Sequence, residues 1–207
     1  MDYSKEELHV HSLFPTPIAQ SHRDLTSKEL EFLEKEYGKE RKFNSTNELS
    51  KDNRILDKHE MNDLRIDLTA MINNYLYSVW QPANEIRAYI TASWLCFNKT
   101  GDSHNKHNHG NSIISGVYYI DSDETDRLNF LAPKENPLGL YIRTENFNLF
   151  NSPNWWLPTP KGSVLLFPSS LFHYVEPTIN PNTRISLAFN TYVKGQINDE
   201  DQMELVL

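Results

Sequence analysis

Three histidines lie close together in the segment Asp102-Ser-His-Asn-Lys-His-Asn-His109, and a fourth, His173, lies in a later apolar stretch. Histidine is the side chain that most often binds metals, and three converging imidazoles leave coordination positions open for a reactive ligand. Arg184 and Ser186 follow His173 and offer a guanidinium and a hydroxyl that suit a small carboxylate. Together these residues predict an iron enzyme with an oxoacid cosubstrate.

The spacing of His107 and His109 suits one shared metal. Residues two apart on an extended chain project from the same face, with their Cα atoms roughly 6 to 7 Å apart. The alternative is a surface histidine cluster beside Lys106 in a polar loop. The predicted strands on either side favour a site, with Asp102 and His104 interpreted as solvated reserve candidates.

His173 by itself is typical of a satisfied core histidine. The turn-forming residues between Pro177 and Asn182 predict a hairpin that returns Arg184 to the neighbourhood of His173. Alternation then places Arg184, Ser186 and Asn190 on the polar face of one strand. The alternative for this strand is a half-exposed element with Arg184 in water.

The composition predicts a soluble globule with one domain. The 207 residues carry a formal charge of −8 with 38% hydrophobic residues, so a broad nucleic-acid surface is not expected. Cys96 is the only cysteine, which favours a reducing compartment. No segment approaches the roughly 20 apolar residues that cross a bilayer, so we expect a cytoplasmic protein without membrane contact.

The first part of the chain is predicted to be helical. Leu13–Ile18 is predicted as a proline-interrupted strand, and Thr26 with Glu29 forms a capping box for a helix that stops near Gly38. Apolar residues at intervals of three and four predict a second helix from about His59 to Trp80. We expect residues 13–80 to support the residues that follow.

The second part of the chain is predicted to consist of strands. From Ile86 the period becomes two, and one face, expected to be buried, carries Ile86, Ala88, Ile90, Ala92, Trp94 and Cys96. Further strands are predicted at 113–120, 128–131, 140–143, 163–167, 173–175 and 184–193. Many short strands with few late helices predict a mainly β jelly roll, a cupin-like double-stranded β-helix, over residues 86–193. An acidic tail, residues 194–207, would follow it.

Three sequence blocks carry a family resemblance. They are LFPTPI near the start, HNKHNHGNSIISGVYYI in the middle and GSVLLFPSSLFHYVEPTINPNTRISLAFN toward the end. The chain resembles the 2-oxoglutarate/iron(II)-dependent oxygenases of phages and bacteria, relatives of the prolyl-4-hydroxylase type. The resemblance runs from about Leu13 to Val193, and its second and third blocks are the more specific.

The resemblance implies a double-stranded β-helix that binds Fe(II), 2-oxoglutarate and O2. It implies His107, His109 and His173 as the catalytic iron ligands, with Arg184 and Ser186 on the far carboxylate of 2-oxoglutarate. His109 departs from the superfamily pattern, because most members have a carboxylate there. From the following strand, Tyr118 or Tyr119 would donate a hydroxyl to the oxoacid.

The resemblance also implies the reaction, hydroxylation of a substrate with release of succinate and carbon dioxide, in the cytoplasm of a host if the gene is carried by a phage. Two other functions remain open. One is a non-catalytic metal-binding jelly-roll module that serves phage assembly, and the other is a three-histidine cupin-like enzyme that does not use 2-oxoglutarate. The substrate, a small molecule, peptide or protein, is expected to be selected by the loop from about Pro133 to Pro160. In that loop Trp155 and Trp156 are interpreted as a lid or a hydrophobic plug, and Trp94 as a core residue.

Overall fold

A computed structural model describes residues 9–133, residues 142–197 and Val206. Its helices are α1 (Ser27–Tyr37) and α2 (Asn62–Trp80), and the 3₁₀ turns Ile55–Asp57 and His59–Met61 precede α2. The strands are β1 (Ala19–His22), β2 (Arg41–Asn44), β3 (Asn47–Ser50), β4 (Ile86–Asn98), β5 (His104–His107), β6 (Ile114–Asp121), β7 (Arg127–Leu131), β8 (Asn154–Pro158), β9 (Ser163–Pro168), β10 (His173–Val175) and β11 (Arg184–Gly195).

The strands form two antiparallel sheets. The large sheet has the order β1-β9-β6-β11-β4-β3-β2, and the small sheet has the order β5-β10-β7-β8. One hydrophobic cluster joins α2 to one face of the large sheet, through residues such as Leu68, Leu95 and Phe189. A second cluster, with Leu165, Phe130 and Leu171, fills part of the space between the sheets. The predicted mainly β jelly roll with N-terminal helices is confirmed.

Both predicted helices form, for the predicted reasons. The Thr26 side chain accepts from the backbone of Glu29 and the Glu29 carboxylate accepts from the backbone of Thr26, so the capping box starts α1. The α2 helix ends at Trp80, where Gln81 adopts a left-handed conformation before Pro82. Helix α2 begins at Asn62 because the predicted first turn is 3₁₀ instead of α-helical.

Two predicted strand positions are wrong. The N-terminal strand begins at Ala19, just after the predicted Leu13–Ile18 segment, because proline lacks the N–H group that a strand ladder needs. For the strand predicted at 140–143, residues 140 and 141 lie outside the described residues, and Ile142 and Arg143 are not in a strand. The acidic tail Asn198–Asp201 also lies outside the described residues.

The face predicted for β4 is correct only as far as Ile90. Asn190 of β11 pairs with Ala92 and Thr191 pairs with Ile90, so Thr91 is an extra residue that forms a bulge. Beyond the bulge the alternation is reversed. Leu95 and Phe97 therefore enter the core between α2 and the large sheet, and the side chains that alternate with them point between the sheets.

The segment with the two tryptophans forms an edge strand. Trp155 and Trp156 lie in β8, paired with Phe130 and Asn129 of β7, and the side chains are 42% and 48% exposed. The prediction of a lid or plug between prolines is therefore wrong for the described part of this loop. The hairpin of β2 and β3 was not predicted, because its strands are short and polar.

Gly116 of β6 lies where the chain approaches a neighbouring ring closely. A Cβ atom at this position would lie 2.1 Å from Phe189 Cζ and 2.9 Å from Leu166 Cδ2. We expect Gly116→Ala to lower the free energy of unfolding by about 1–3 kcal/mol, because it overpacks a buried site. Chemical denaturation measures the change. The control is Gly38→Ala, where the added Cβ would lie 3.8 Å from Lys35 O, and an equal loss in both variants would contradict the prediction.

Within the described residues, neither helix has the length and apolar character that a bilayer-spanning segment requires.

Candidate metal centre and carboxylate site

Three of the four histidines considered in the sequence place a ring nitrogen close enough to the others to share one metal. One ring nitrogen from each of His107, His109 and His173 lies within 4.8 Å of the others. The ring centroids of His107 and His173 are 4.3 Å apart, and the His109 ring is 5.1 Å from each. Three neutral nitrogen donors around one point can bind a divalent transition metal.

Two pairings of the backbone place these rings. His107 of β5 lies directly opposite His173 of β10, so both side chains project from neighbouring strands of the small sheet. His109 follows the end of β5, and its backbone N–H donates to Ser169 O at 2.9 Å. The third imidazole is therefore fixed through the loop that follows β9.

Hydrogen bonds prepare two of the rings for metal binding. His107 Nδ1 lies 2.7 Å from Asn105 O, and His173 Nδ1 lies 3.0 Å from Leu171 O. A carbonyl oxygen only accepts, so each neutral ring carries its proton on Nδ1 and keeps a lone pair on Nε2. Phe167 packs on His173 with 4.7 Å between centroids and restrains the ring.

Burial keeps these imidazoles neutral. Burial, together with the neighbouring imidazoles, lowers the pKa of His173 to about 3 and that of His109 to about 4. The pKa of His107 is also lowered by burial, against the opposing effect of its hydrogen bond to Asn105. Near neutral pH each ring is therefore uncharged and has one nitrogen without a proton.

The lowered pKa values predict how stability depends on pH. The unfolded chain takes up protons on these imidazoles below about pH 6.5, while the folded chain does not until about pH 4. The contribution of these neutral imidazoles to the free energy of unfolding is fully present above pH 6.5. It is lost as the pH falls toward 4, by at most about 1.4 kcal/mol per pH unit for each imidazole. Urea denaturation of chelator-treated protein at pH 7 and pH 5 measures it. Equal stability of the wild type and His173→Gln at both values would contradict this expectation.

Arg184 and Ser186 lie on the face of β11 that points between the sheets. Arg184 is 3% exposed and Ser186 is 4% exposed. The Arg184 Nε atom has no hydrogen-bond partner among the described residues, and none of their ion pairs includes Arg184. A buried guanidinium without an anion carries a desolvation cost, which a bound carboxylate would offset.

Only one of the two candidate tyrosines faces this site. The Tyr119 hydroxyl is buried without a partner, and the Arg184 guanidinium lies 5.0 Å from its ring centroid. Burial raises the pKa of Tyr119 to about 12, so its hydroxyl stays protonated and can donate. Tyr118 points into the helix-covered core and donates to Arg23 O at 2.8 Å, so its predicted contact with the oxoacid is wrong.

The histidines and Arg184 line one cavity between the two sheets, which is open to solvent. The remaining lining side chains come from both sheets and are Trp94, Cys96, Asn98, His104, Val117, Tyr119, Leu128, Val175, Ser186 and Ala188. The three clustered histidines and the Arg184 guanidinium therefore face the same space.

His104 lies in the cavity instead of in solvent. Val175 pairs with His104, and His173 pairs with His107. The four residues 104–107 of β5 therefore face the three residues 173–175 of β10, and the extra residue forms a bulge. His104 therefore stacks on His107, with 4.4 Å between centroids, and burial lowers its pKa to about 3. Asp102 does not join the cluster, because its Oδ2 accepts from the backbone N–H of Lys99 in a turn.

Two further predictions about this region are corrected. Arg184 and His173 meet across the cavity, because β10 belongs to the small sheet and β11 to the large sheet, and they do not form a hairpin. Trp94 is a cavity residue instead of a core residue, and its ring centroid lies 5.9 Å from that of His109. The Thr91 bulge, which the alternating sequence does not signal, puts Trp94 and Cys96 into the cavity.

One family of known proteins matches the chain by sequence. Residues 92–190 match a family described as "Putative 2OG-Fe(II) oxygenase". This range includes all three histidines of the cluster together with Arg184 and Ser186. A sequence comparison with curated proteins gave no match.

Solved structures of similar fold include a prolyl-4-hydroxylase and two proteins with a metal and 2-oxoglutarate bound. A Pseudomonas putida prolyl-4-hydroxylase aligns with a TM-score of 0.57 at 12% identity, over 87% of this chain and 94% of its own. HygX from Streptomyces hygroscopicus, with nickel, 2-oxoglutarate and hygromycin B bound, gives 0.56 at 14% identity over 85% and 82%. The epimerase SnoN, in complex with Fe3+, alpha ketoglutarate and nogalamycin RO, gives 0.60 at 11% identity over 86% and 81%. These likenesses show a shared double-stranded β-helix fold.

Proposed function

We propose that the chain is a 2-oxoglutarate/iron(II)-dependent dioxygenase that hydroxylates a small molecule, a peptide or a protein, because residues 92–190 match a family described as "Putative 2OG-Fe(II) oxygenase". Fe(II) and 2-oxoglutarate are the cofactor and cosubstrate of this family. The chemistry that ferrous iron supplies when bound is the activation of dioxygen, in which 2-oxoglutarate is converted to succinate and carbon dioxide while the substrate is hydroxylated.

The observation that carries the proposal is a buried guanidinium, in no ion pair of the described residues and with no partner for its Nε, in the cavity that also holds the three imidazoles. Arg184 and Tyr119 both have polar atoms without partners among the described residues. A structural metal needs neither of these groups. A ligand with one end on a metal and a carboxylate at the other end would satisfy both of them.

The donor set fits a ferrous ion. His107 and His173 present Nε2 lone pairs because their Nδ1 atoms are committed to carbonyl oxygens. His109 supplies the third nitrogen of the cluster. These three residues would hold the iron and would leave coordination positions free for further ligands.

A third imidazole in place of a carboxylate changes the charge of the site. Neutral His107, His109 and His173 leave the full charge of a divalent ion uncompensated by protein ligands. Anionic 2-oxoglutarate would provide the compensation, with its far carboxylate on Arg184 and Ser186 and a hydrogen bond from Tyr119. In our proposal this charge balance couples cosubstrate binding to metal binding.

The orientation of the cosubstrate follows from the position of Arg184. A guanidinium grips a carboxylate through two parallel N–H donors, which fixes the direction as well as the position of the ligand. The Ser186 hydroxyl lies on the same face of β11, two residues further on. The role of the protein is therefore to hold the oxoacid end toward the histidines, beside the apolar side chains of Leu128, Val117 and Val175 that line the same cavity.

An anaerobic titration tests the proposed function. We expect ferrous iron followed by 2-oxoglutarate to produce the visible charge-transfer band of a chelated oxoacid. With dioxygen admitted, pools of candidate substrates should then raise the release of succinate above its uncoupled rate. The matched control is succinate, which has the two carboxylates but no keto group and should give no band.

Iron binding without the band would contradict the proposal. That outcome would favour a three-histidine metalloenzyme that does not use 2-oxoglutarate. If the protein bound the iron but released no succinate with any substrate pool, a non-catalytic metal-binding jelly roll would be favoured.

A further inference from the structure

His109 differs from the other two histidines of the cluster in what its Nδ1 contacts. Its Nδ1 lies 3.4 Å from Asn190 Nδ2, whereas His107 and His173 contact backbone carbonyls. An amide can accept through its oxygen or donate through its nitrogen, and a half-turn about Cβ–Cγ exchanges the two. The amide therefore decides which nitrogen of His109 carries the proton.

The two orientations have opposite consequences for a metal. If the Asn190 nitrogen donates to Nδ1, the neutral ring carries its proton on Nε2 and cannot bind a metal there. If the Asn190 oxygen accepts from Nδ1–H, the Nε2 lone pair is free, as in the other two rings.

A chain of serine hydroxyls continues behind Asn190. Asn190 Oδ1 lies 2.9 Å from Ser115 Oγ, which is 2.8 Å from Ser169 Oγ. Ser169 Oγ is 2.8 Å from Ser112 Oγ, and Ser112 Oγ lies 3.3 Å from Ile114 O. Ser115 and Ser169 are each 1% exposed, so water does not compete for these contacts.

Counting protons selects one direction along this chain. Each hydroxyl has one proton, and the carbonyl of Ile114 at the far end only accepts, so the proton of Ser112 must point toward it. Ser169 then donates to Ser112, Ser115 donates to Ser169, and the Asn190 nitrogen donates to Ser115. This direction takes the half-turn of the Asn190 amide, which leaves the amide oxygen to accept from His109. With the amide as placed, Ser115 donates to Asn190 Oδ1, and the three serine protons supply only three of the four contacts of the chain.

A fixed donor at the far end supports this direction. The backbone N–H of Thr191 donates to Ser112 Oγ at 3.1 Å, so one lone pair of that hydroxyl is occupied. The remaining lone pair accepts from Ser169, and the Ser112 proton goes to Ile114 O. All contacts of this serine are then satisfied.

We propose that Asn190, oriented by Ser115, Ser169 and Ser112, is a positioning residue that holds the His109 proton on Nδ1 and so makes this imidazole a metal ligand. The inference rests on the proposed function, because it assigns the His109 Nε2 lone pair to ferrous iron. It explains how a histidine serves at a position where a carboxylate, which needs no tautomer control, is usual in the superfamily.

Two substitutions of Asn190 test the inference. Asn190→Leu removes the acceptor and should weaken Fe(II) binding by about 10- to 100-fold, the usual cost of losing a partner of a metal ligand. Asn190→Asp keeps an acceptor, because a carboxylate only accepts, and should bind Fe(II) at least as tightly as the wild type. Equal loss in both variants, or wild-type affinity in Asn190→Leu, would overturn the inference.

Asn73→Leu is a matched control for damage to the fold. Asn73 of α2 is also half-buried, and its amide bridges to Ala88 of β4 at 2.9 and 3.0 Å. This variant should lose stability without losing iron affinity. A comparable fall in iron affinity in Asn73→Leu would attribute the Asn190 effect to folding and overturn the inference.

Nitrogen NMR of the metal-free protein provides a readout that is independent of iron. Ring ¹⁵N shifts should show His109 protonated on Nδ1 in the wild type and as a mixture of tautomers in Asn190→Leu. A wild-type His109 protonated on Nε2 would overturn the inference. If the tautomer were as expected but the wild type did not bind iron, the proposed function would fail while the role of Asn190 in orienting His109 would stand.

Discussion

Replacing His173 by alanine is expected to abolish ferrous iron binding and all succinate release. His173 lies opposite His107 in the small sheet, and its Nε2 is one of the three nitrogen donors that the described residues bring to the centre. Loss of a direct donor should exceed the 10- to 100-fold cost that is typical of losing a hydrogen-bond partner of a ligand, so we expect more than about 100-fold weaker binding. Anaerobic titration with Fe(II) measures the dissociation constant.

The control for His173→Ala is His59→Ala, which removes an exposed histidine from the 3₁₀ turn before α2. This variant should bind iron like the wild type. His109→Ala separates a ligand from a bystander at the third position. An unchanged iron affinity in His173→Ala would show that the histidine cluster does not bind the metal, and an unchanged affinity in His109→Ala would remove only His109 from the site.

Replacing Arg184 by methionine is expected to destroy 2-oxoglutarate binding while iron binding is retained. Truncating one partner of a buried charge pair costs about 2–5 kcal/mol, which corresponds to a loss of roughly 30-fold to several thousand-fold in affinity. Arg184→Lys should recover only part of this loss, since an ammonium keeps the charge but lacks the two parallel donors. The charge-transfer band, followed against 2-oxoglutarate concentration, gives the dissociation constants.

The stability of Arg184→Met distinguishes a binding role from a structural role. Among the described residues no partner compensates the Arg184 Nε, so its removal should not destabilise the ligand-free protein and should even stabilise it. An arginine that merely held the fold together would give the opposite result. Arg87→Ala, on the exposed end of β4, should change neither property.

The sequence predicted the helices and most strands because their signals are local. The capping box of Thr26 and Glu29 and the three- and four-residue periodicity of α2 report on neighbours within one or two turns. Alternation along β11 correctly separated Leu187 and Phe189 from Arg184 and Ser186, because that strand keeps its alternation over the range that lines the cavity. The composition of the site followed from these local patterns and from the family resemblance.

The tertiary structure decided where alternation fails. The bulges at Thr91 in β4 and between His104 and His107 in β5 each add a residue to one strand. An added residue reverses every later side chain, and it is defined only against the partner strand, which is distant in sequence. For this reason the sequence pattern predicts Trp94 in the core and His104 in solvent, although both line the cavity.

The sequence by itself determined the candidate donors of the site, namely four of the eight imidazoles, the Arg184 guanidinium and the hydroxyls near them. Only the tertiary structure decided which of them share a cavity, that Tyr119 and not Tyr118 joins them, and that Asn190 contacts His109. The physical reason is that a metal or carboxylate site depends on distances of a few ångströms between strands of two different sheets. Those distances are set by strand pairing and by packing of the sheets, which no local pattern of residues encodes.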